Sequence, residues 1–169
     1  LNALNGLLGS MSSKMGLTRD AIRIEQEILK ENVGSQDQTI TAHGGFNRME
    51  FGRDGSIQVN PILLEPERLV ELQDRLLLIY TGLSRTASEI AGEQIQATAH
   101  KETELRSMRE MVDEAVRILQ GGQGLEAFGK LLHESWLLKR SLTSKVSTPL
   151  VDEVYERALR AGAVGGKLL

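Results

Sequence analysis

The sequence predicts an α+β chain, and three observations carry that prediction. Apolar residues recur at helical spacing in several stretches. An Asp-Gly pair, Asp54-Gly55, lies between two β-like runs and reads as the turn of a hairpin. The helical stretches outnumber the β-like ones.

Taken in order, residues 1–9, LNALNGLLG, read as a short helix closed by Gly9. Thr18 is the expected N-cap of a helix reaching about Lys30, with Ala21, Ile22, Ile24, Ile28 and Leu29 on its apolar side and Glu25 at the rim. A turn at Gly34 follows, and Asp37 is expected on a loop. Residues 40–52 and 56–62 are predicted strands joined by a turn at 53–55, with Pro61 ending the ladder.

Composition changes at Glu65-Pro66, which sets the predicted boundary between residues 1–64 and 65–169. Pro66 suits the first position of a helix over 66–74. Leu76 to Tyr80 is continuously apolar and reads as a strand buried on both faces. Residues 81–85 turn out of it, and Thr86 or Ser88 opens another helix. Leu105, Met108, Val112, Ala115 and Leu119 mark a long amphipathic helix closed by Gly121-Gly122. A further helix covers about 124–141, and a last one has Thr148 as N-cap, Pro149 at its first position and Gly162 at its end.

The 169 residues carry a net charge of −3 and 40% apolar side chains. That permits a core and argues against general nucleic-acid binding, which needs a basic face. No apolar run approaches membrane-spanning length, so no membrane contact is expected. There are no cysteines, which excludes disulfides and thiolate chemistry and fits a reducing, cytoplasmic setting. The apolar start lacks a charged n-region and a small-residue cleavage site, so no signal peptide is expected.

Glu25 and Asp37, with eleven residues between them, join a helix end to a loop and can converge on one point. Metal-assisted phosphoryl transfer needs one acid for the cation and one for the attacking hydroxyl. The structural alternatives are an Asx-turn at Asp37 and a solvated ion pair of Glu25 with Arg23 or Lys30. Gly44-Gly45 is either a tight bend or a place where substrate meets bare backbone. Arg85, after the apolar run, is either an exposed turn residue or an anion-binding guanidinium. His133, Trp136 and Arg140 share one helical face, with Lys139 alongside. Core packing explains the tryptophan and the helix dipole explains the cations, or the group forms a sugar platform with cations for a phosphate.

The pattern E-x(11)-D-Q with Val33-Gly34 before the Asp resembles the GHMP small-molecule kinases. The segments GGFNRMEFG, YTGLSRTASEI, LLHESWLLKRSL and AGAVGGKLL are similar to its sugar-phosphate branch, and the likeness runs over nearly the whole chain. The resemblance implies a GHMP-type two-layer α/β sandwich. Residues 1–64 would end its N-terminal catalytic domain, and residues 65–169 would form most of its C-terminal domain. It implies transfer of the ATP γ-phosphoryl, with Mg²⁺, to the anomeric hydroxyl of a sugar phosphate such as D-glycero-D-manno-heptose 7-phosphate. A galactose- or fucose-type acceptor, or a non-catalytic binding module, is the alternative.

Asp37 matches the family's acid facing the accepting hydroxyl, and Glu25 its metal-side acid. Gly44, Gly45, Arg85 and one of His133, Lys139 or Arg140, beside Trp136, are expected on the substrate side. Family members carry a Gly/Ser-rich phosphate loop before, and a Gly-rich segment after, the stretch matched here. Nucleotide-binding residues are therefore expected outside this chain, and the 169 residues alone are expected to have little or no activity. Small-molecule partners are expected, and a homodimer is left open.

Overall fold

A computed structural model describes residues 1–82, 101–143 and 146–168. These fall into two compact units that change over between Ile62 and Leu63.

The first unit opens with α1 (Asn2–Leu7) and α2 (Lys14–Arg23). Ser13, not Thr18, caps α2: its hydroxyl accepts from the Gly16 N–H at 3.0 Å. Thr18 lies inside the helix, fully buried, and its hydroxyl donates to the Lys14 carbonyl one turn back at 3.0 Å. The ladder then widens into a π-helical turn, Ile24–Ile28, in which the Leu29 N–H reaches the Ile24 carbonyl at 2.9 Å. Lys30, with φ of 56°, ends it. The widened turn inserts a residue into the apolar stripe, and Ile28 and Leu29, expected inside, are exposed.

Asp37 is not on a loop, and residues 40–46 are not strand. The helix α3 spans Gln36–His43, with Asp37 in its first turn. Thr39 and Thr41 favour strand by propensity, but the Thr39 hydroxyl instead donates to the Ser35 carbonyl inside the first turn, at 2.5 Å. Gly44, at φ 65°, stops the helix in a conformation that a β-carbon disfavours. The strands β1 (Asn47–Phe51) and β2 (Ile57–Pro61) form the expected antiparallel hairpin, with Phe51 opposite Ile57 and Asn47 opposite Pro61. Gly55 takes φ 80° in its turn, and the Asp54 carboxylate accepts from the Ser56 N–H at 3.0 Å.

α2 packs against α3 over an unusual centre. The buried residues of this unit, among those described, are Thr18, Gln38 and Thr39. Both threonine hydroxyls donate to carbonyls one turn back, and the Thr18 hydroxyl also lies 3.5 Å from His43 Nδ1 on α3.

The second unit contains α4 (Pro66–Asp74), α5 (Glu102–Gln120), α6 (Glu126–Leu142) and α7 (Pro149–Arg160). Pro66 and Pro149 occupy first-turn positions as expected, and the Thr148 hydroxyl caps α7 by accepting from the Val151 N–H at 3.3 Å. One apolar cluster joins Leu72, Leu119 and Leu125, with Leu64 and Phe128 against it. A second joins Trp136, Val146 and Val151, with Tyr155 and Leu168 against it. Each fully buried Leu or Val contributes about 1.5–3 kcal/mol relative to exposure.

Arg68 ties α4 to the end of α5. Its guanidinium donates to the carbonyls of Ile118, Leu119 and Gln123 at 2.9, 3.2 and 2.6 Å and pairs with Glu71 at 3.0 Å. It thereby supplies donors that the last turn of α5 lacks. The segment after α7 runs over α6 at a point where both backbones are bare. A β-carbon on Gly165 would stand 2.1 Å from the Gly129 carbonyl oxygen.

Leu76–Tyr80 is not a buried strand. It has no regular structure, and Leu77, Leu78 and Tyr80 are 83%, 83% and 88% exposed. An apolar run becomes a central strand only when neighbours pair with it, and none does so among the described residues. Arg85 and the helix expected to open at Thr86 or Ser88 lie outside the described residues.

Candidate active site

The two candidate acids are both linked to the first turn of α3, Glu25 through Gln38 and Asp37 as one of its residues. Glu25 lies in the π-turn, half-buried, and its Oε2 accepts a hydrogen bond from the Gln38 side-chain amide. Asp37 is the residue before Gln38, in the first turn of α3 and exposed. Helix positions one apart diverge by roughly 100°, so Gln38 faces α2 while Asp37 faces out. The Gln26 amide donates to the Val33 carbonyl at 2.9 Å and to the Ser35 hydroxyl at 3.4 Å.

Neither acid is neutralised. Among the described residues Glu25 has no ion pair, with Arg23 and Lys30 included, and Asp37 has neither an ion pair nor a side-chain hydrogen bond. The Gln38 amide is a neutral partner for the Glu25 carboxylate. The described residues contain no group of three or more acid or imidazole side chains able to cage a metal. The Glu25 carboxylate is a donor of the kind Mg²⁺ takes, since that ion is held by one or two carboxylates and completes its shell with phosphate and water. The first turn of α3 also favours negative charge at Asp37.

Gly44 and Gly45 are exposed, with φ of 65° and 76°. Added β-carbons would meet nothing at Gly44 and only the Asn47 amide, at 3.8 Å, at Gly45. Backbone conformation selects these glycines, and the space beside them is open. His43 is a satisfied, half-buried histidine: its Nδ1 lies 3.0 Å from the Thr39 carbonyl and 3.5 Å from the Thr18 hydroxyl.

In the second unit, the face of α6 expected to hold sugar is largely engaged in packing. Trp136 is 1% exposed and belongs to the core, so its ring offers no open face to a sugar. Its contact with Val146 and Val151 is the reason, and this corrects the platform expected from the sequence. Arg140 lies 6.0 Å from the Trp136 ring centroid and pairs with Asp152 at 3.1 Å. It also lines a cleft of about 240 Å³ with Thr143, Ser147, Thr148, Pro149 and Asp152.

Lys139 is half-buried. Burial pushes its ammonium below the ordinary lysine value, with the Lys167 charge adding to the effect. His133 stacks on Tyr155 with 5.9 Å between ring centroids and shares a 2.5 Å hydrogen bond with its hydroxyl. Burial raises the Tyr155 phenol above its ordinary value, while the Gly166 backbone and Arg140 pull it down. Sequence reasoning missed Tyr155 and Gln38. Only the D-Q pattern pointed to Gln38, and nothing local marked Tyr155.

No protein-family model matches the chain. Among characterised proteins it is 30% identical over 149 residues to D-glycero-alpha-D-manno-heptose 7-phosphate kinase of Campylobacter jejuni, across 87% of this chain and 44% of that protein. It is 25% identical over 142 residues to the bifunctional fucokinase/GDP-fucose pyrophosphorylase of Arabidopsis thaliana, across 80% of this chain and 13% of that protein. The crystal structure of a D-glycero-D-manno-heptose 1-phosphate kinase from Bacteroides thetaiotaomicron superposes with a TM-score of 0.65 at 27% identity, over 99% of this chain and 45% of that one. The chain thus spans less than half the length of each of these proteins.

Proposed function

The chain is homologous, at modest identity over most of its length, to heptose- and hexose-phosphate kinases of the GHMP family, and we propose that it carries the acceptor-activating part of such a kinase. The reaction is transfer of the ATP γ-phosphoryl to the anomeric hydroxyl of D-glycero-D-manno-heptose 7-phosphate, giving the 1,7-bisphosphate. The observation that carries the proposal is a pair of carboxylates with no ion pair among the described residues, Glu25 held by Gln38 and Asp37 exposed at the preceding position of α3.

Asp37 orients the acceptor hydroxyl and takes its proton as the new O–P bond forms. An anomeric hydroxyl is more acidic than an ordinary alcohol, so an exposed carboxylate suffices as the base. Glu25 holds Mg²⁺, which when bound with ATP offsets charge on the transferring phosphoryl. Gly44 and Gly45 leave backbone open to the sugar. The binding energy of the sugar's remote phosphate serves orientation at the reacting end.

A second acceptor class, fucose, rests on the similarity to the fucokinase-containing plant protein. The full-length protein, supplied with ATP, Mg²⁺ and a panel of heptose 7-phosphate, fucose and galactose, distinguishes them. A 1,7-bisphosphate identified by phosphorus NMR is the expected product. A sugar 1-phosphate made only from fucose or galactose moves the assignment to that acceptor, and no phosphorylation of any of the three overturns the kinase reading.

A further inference from the structure

Gln38 has no assigned task, and its chemistry is costly. It is 7% exposed, yet its amide oxygen has no hydrogen-bond partner among the described residues. Leaving a buried acceptor unpaired forfeits the hydrogen bond it would make to water in the unfolded chain. Turning the amide over would not help, because its oxygen would then face the Glu25 carboxylate. The amide is therefore fixed by a single demand, that its N–H₂ end point at Glu25 Oε2.

The backbone on both sides of this contact is also specialised. Glu25 stands in a π-helical turn, a distortion that often accompanies functional sites. The turn is bound to the segment ahead of α3 through Gln26, with its amide on Val33 and Ser35. Thr39, next to Gln38, is fully buried and locks the first turn of α3 to the Ser35 carbonyl. Gln38 thus projects from a rigid point onto a carboxylate whose own segment is irregular.

We propose that Gln38 is a positioning residue that fixes the Glu25 carboxylate: it occupies Oε2 and leaves Oε1 as the oxygen offered to the cation. The inference rests on the kinase reading for the role of Glu25. A neutral amide suits this task better than lysine or arginine. A cation there would orient the carboxylate equally well but would cancel the charge that attracts the metal.

The test uses the full-length protein with a non-hydrolysable ATP analogue and Mn²⁺, and reads metal affinity by electron paramagnetic resonance, so turnover is not needed. Four proteins are compared: wild type, Glu25→Gln, Gln38→Met and the double variant. Methionine has the length of glutamine and removes the unpaired amide, so folding is expected to survive, as checked by circular dichroism. Should Gln38→Met not fold, Gln38→Asn replaces it, since its amide is one methylene too short to reach Oε2.

The expected result is a loss of Mn²⁺ affinity of about tenfold or more in Gln38→Met, the usual scale for a group behind a metal ligand. The double variant is expected to match Glu25→Gln alone, because Gln38 acts through Glu25. Weakening by Glu25→Gln with Gln38→Met at wild-type affinity overturns the inference and leaves the kinase reading standing. So does a double variant in which the two losses add. Wild-type affinity in Glu25→Gln removes the metal role of Glu25 and the inference with it.

Discussion

Lys139 and Tyr155 carry opposite consequences of the same burial. The folded state depresses the Lys139 ammonium below its ordinary 10.5, so between that lowered value and 10.5 the unfolded chain binds more protons. Its contribution to stability is present above 10.5 and is lost as pH falls through the folded value. Tyr155 is raised above its ordinary 10.0, so its contribution is full below 10.0 and is lost as pH rises through the folded value. Urea unfolding of the second unit between about pH 8 and 11 checks both signs. Lys139→Met is expected to flatten the rise of stability with pH below 10.5, and Tyr155→Phe to reduce the fall above 10.0. A wild-type pH profile in both variants would contradict the assignment. At this scale the sequence marked Glu25 and Asp37 as candidates for chemistry. It could not show that Trp136 would be enclosed or that Tyr155 would meet His133, since both depend on residues distant in the chain.

The junction between α6 and the segment after α7 shows how an element is placed by the absence of side chains. Gly165→Ala would drive its β-carbon into the Gly129 carbonyl oxygen and to 2.9 Å from the His133 backbone nitrogen. The expected loss of stability is about 3 kcal/mol or more, since neither backbone can yield alone. Gly6→Ala is the contrasting case: nothing lies within 4 Å of its new β-carbon, and helix propensity favours it by about 0.5–1 kcal/mol. Equal effects of the two substitutions on the urea midpoint would refute the packing argument.

Elements whose ends are written locally were legible, as with Pro66, Thr148-Pro149 and the Asp54-Gly55 turn. Those decided by tertiary contact were not. The start of α3 reads as loop and its end, from residue 40, as strand, until Thr18, Gln38 and Thr39 are seen buried. The π-turn leaves no local mark at all. The D-Q pattern was visible in the sequence, but the contact from Gln38 to Glu25 needs that helix and that turn together.

Across the described residues, the two units are built on different principles. Every fully buried apolar side chain lies in the second: Leu72, Ile118, Leu119, Leu125, Trp136, Val146 and Val151. The first unit buries Thr18, Gln38 and Thr39 instead, a polar centre that contributes little hydrophobic stabilisation, with Gln38 in contact with Glu25.

The most direct measurement is turnover of heptose 7-phosphate by full-length Asp37→Asn at saturating ATP, Mg²⁺ and sugar, with the fold checked by circular dichroism. The side chain is exposed and has no hydrogen bond or ion pair to a described residue, so folding is expected to be untouched. The account predicts a fall in kcat of roughly 10²–10⁴-fold, the range for a positioned general base. Turnover at the wild-type rate in a folded Asp37→Asn protein would contradict it.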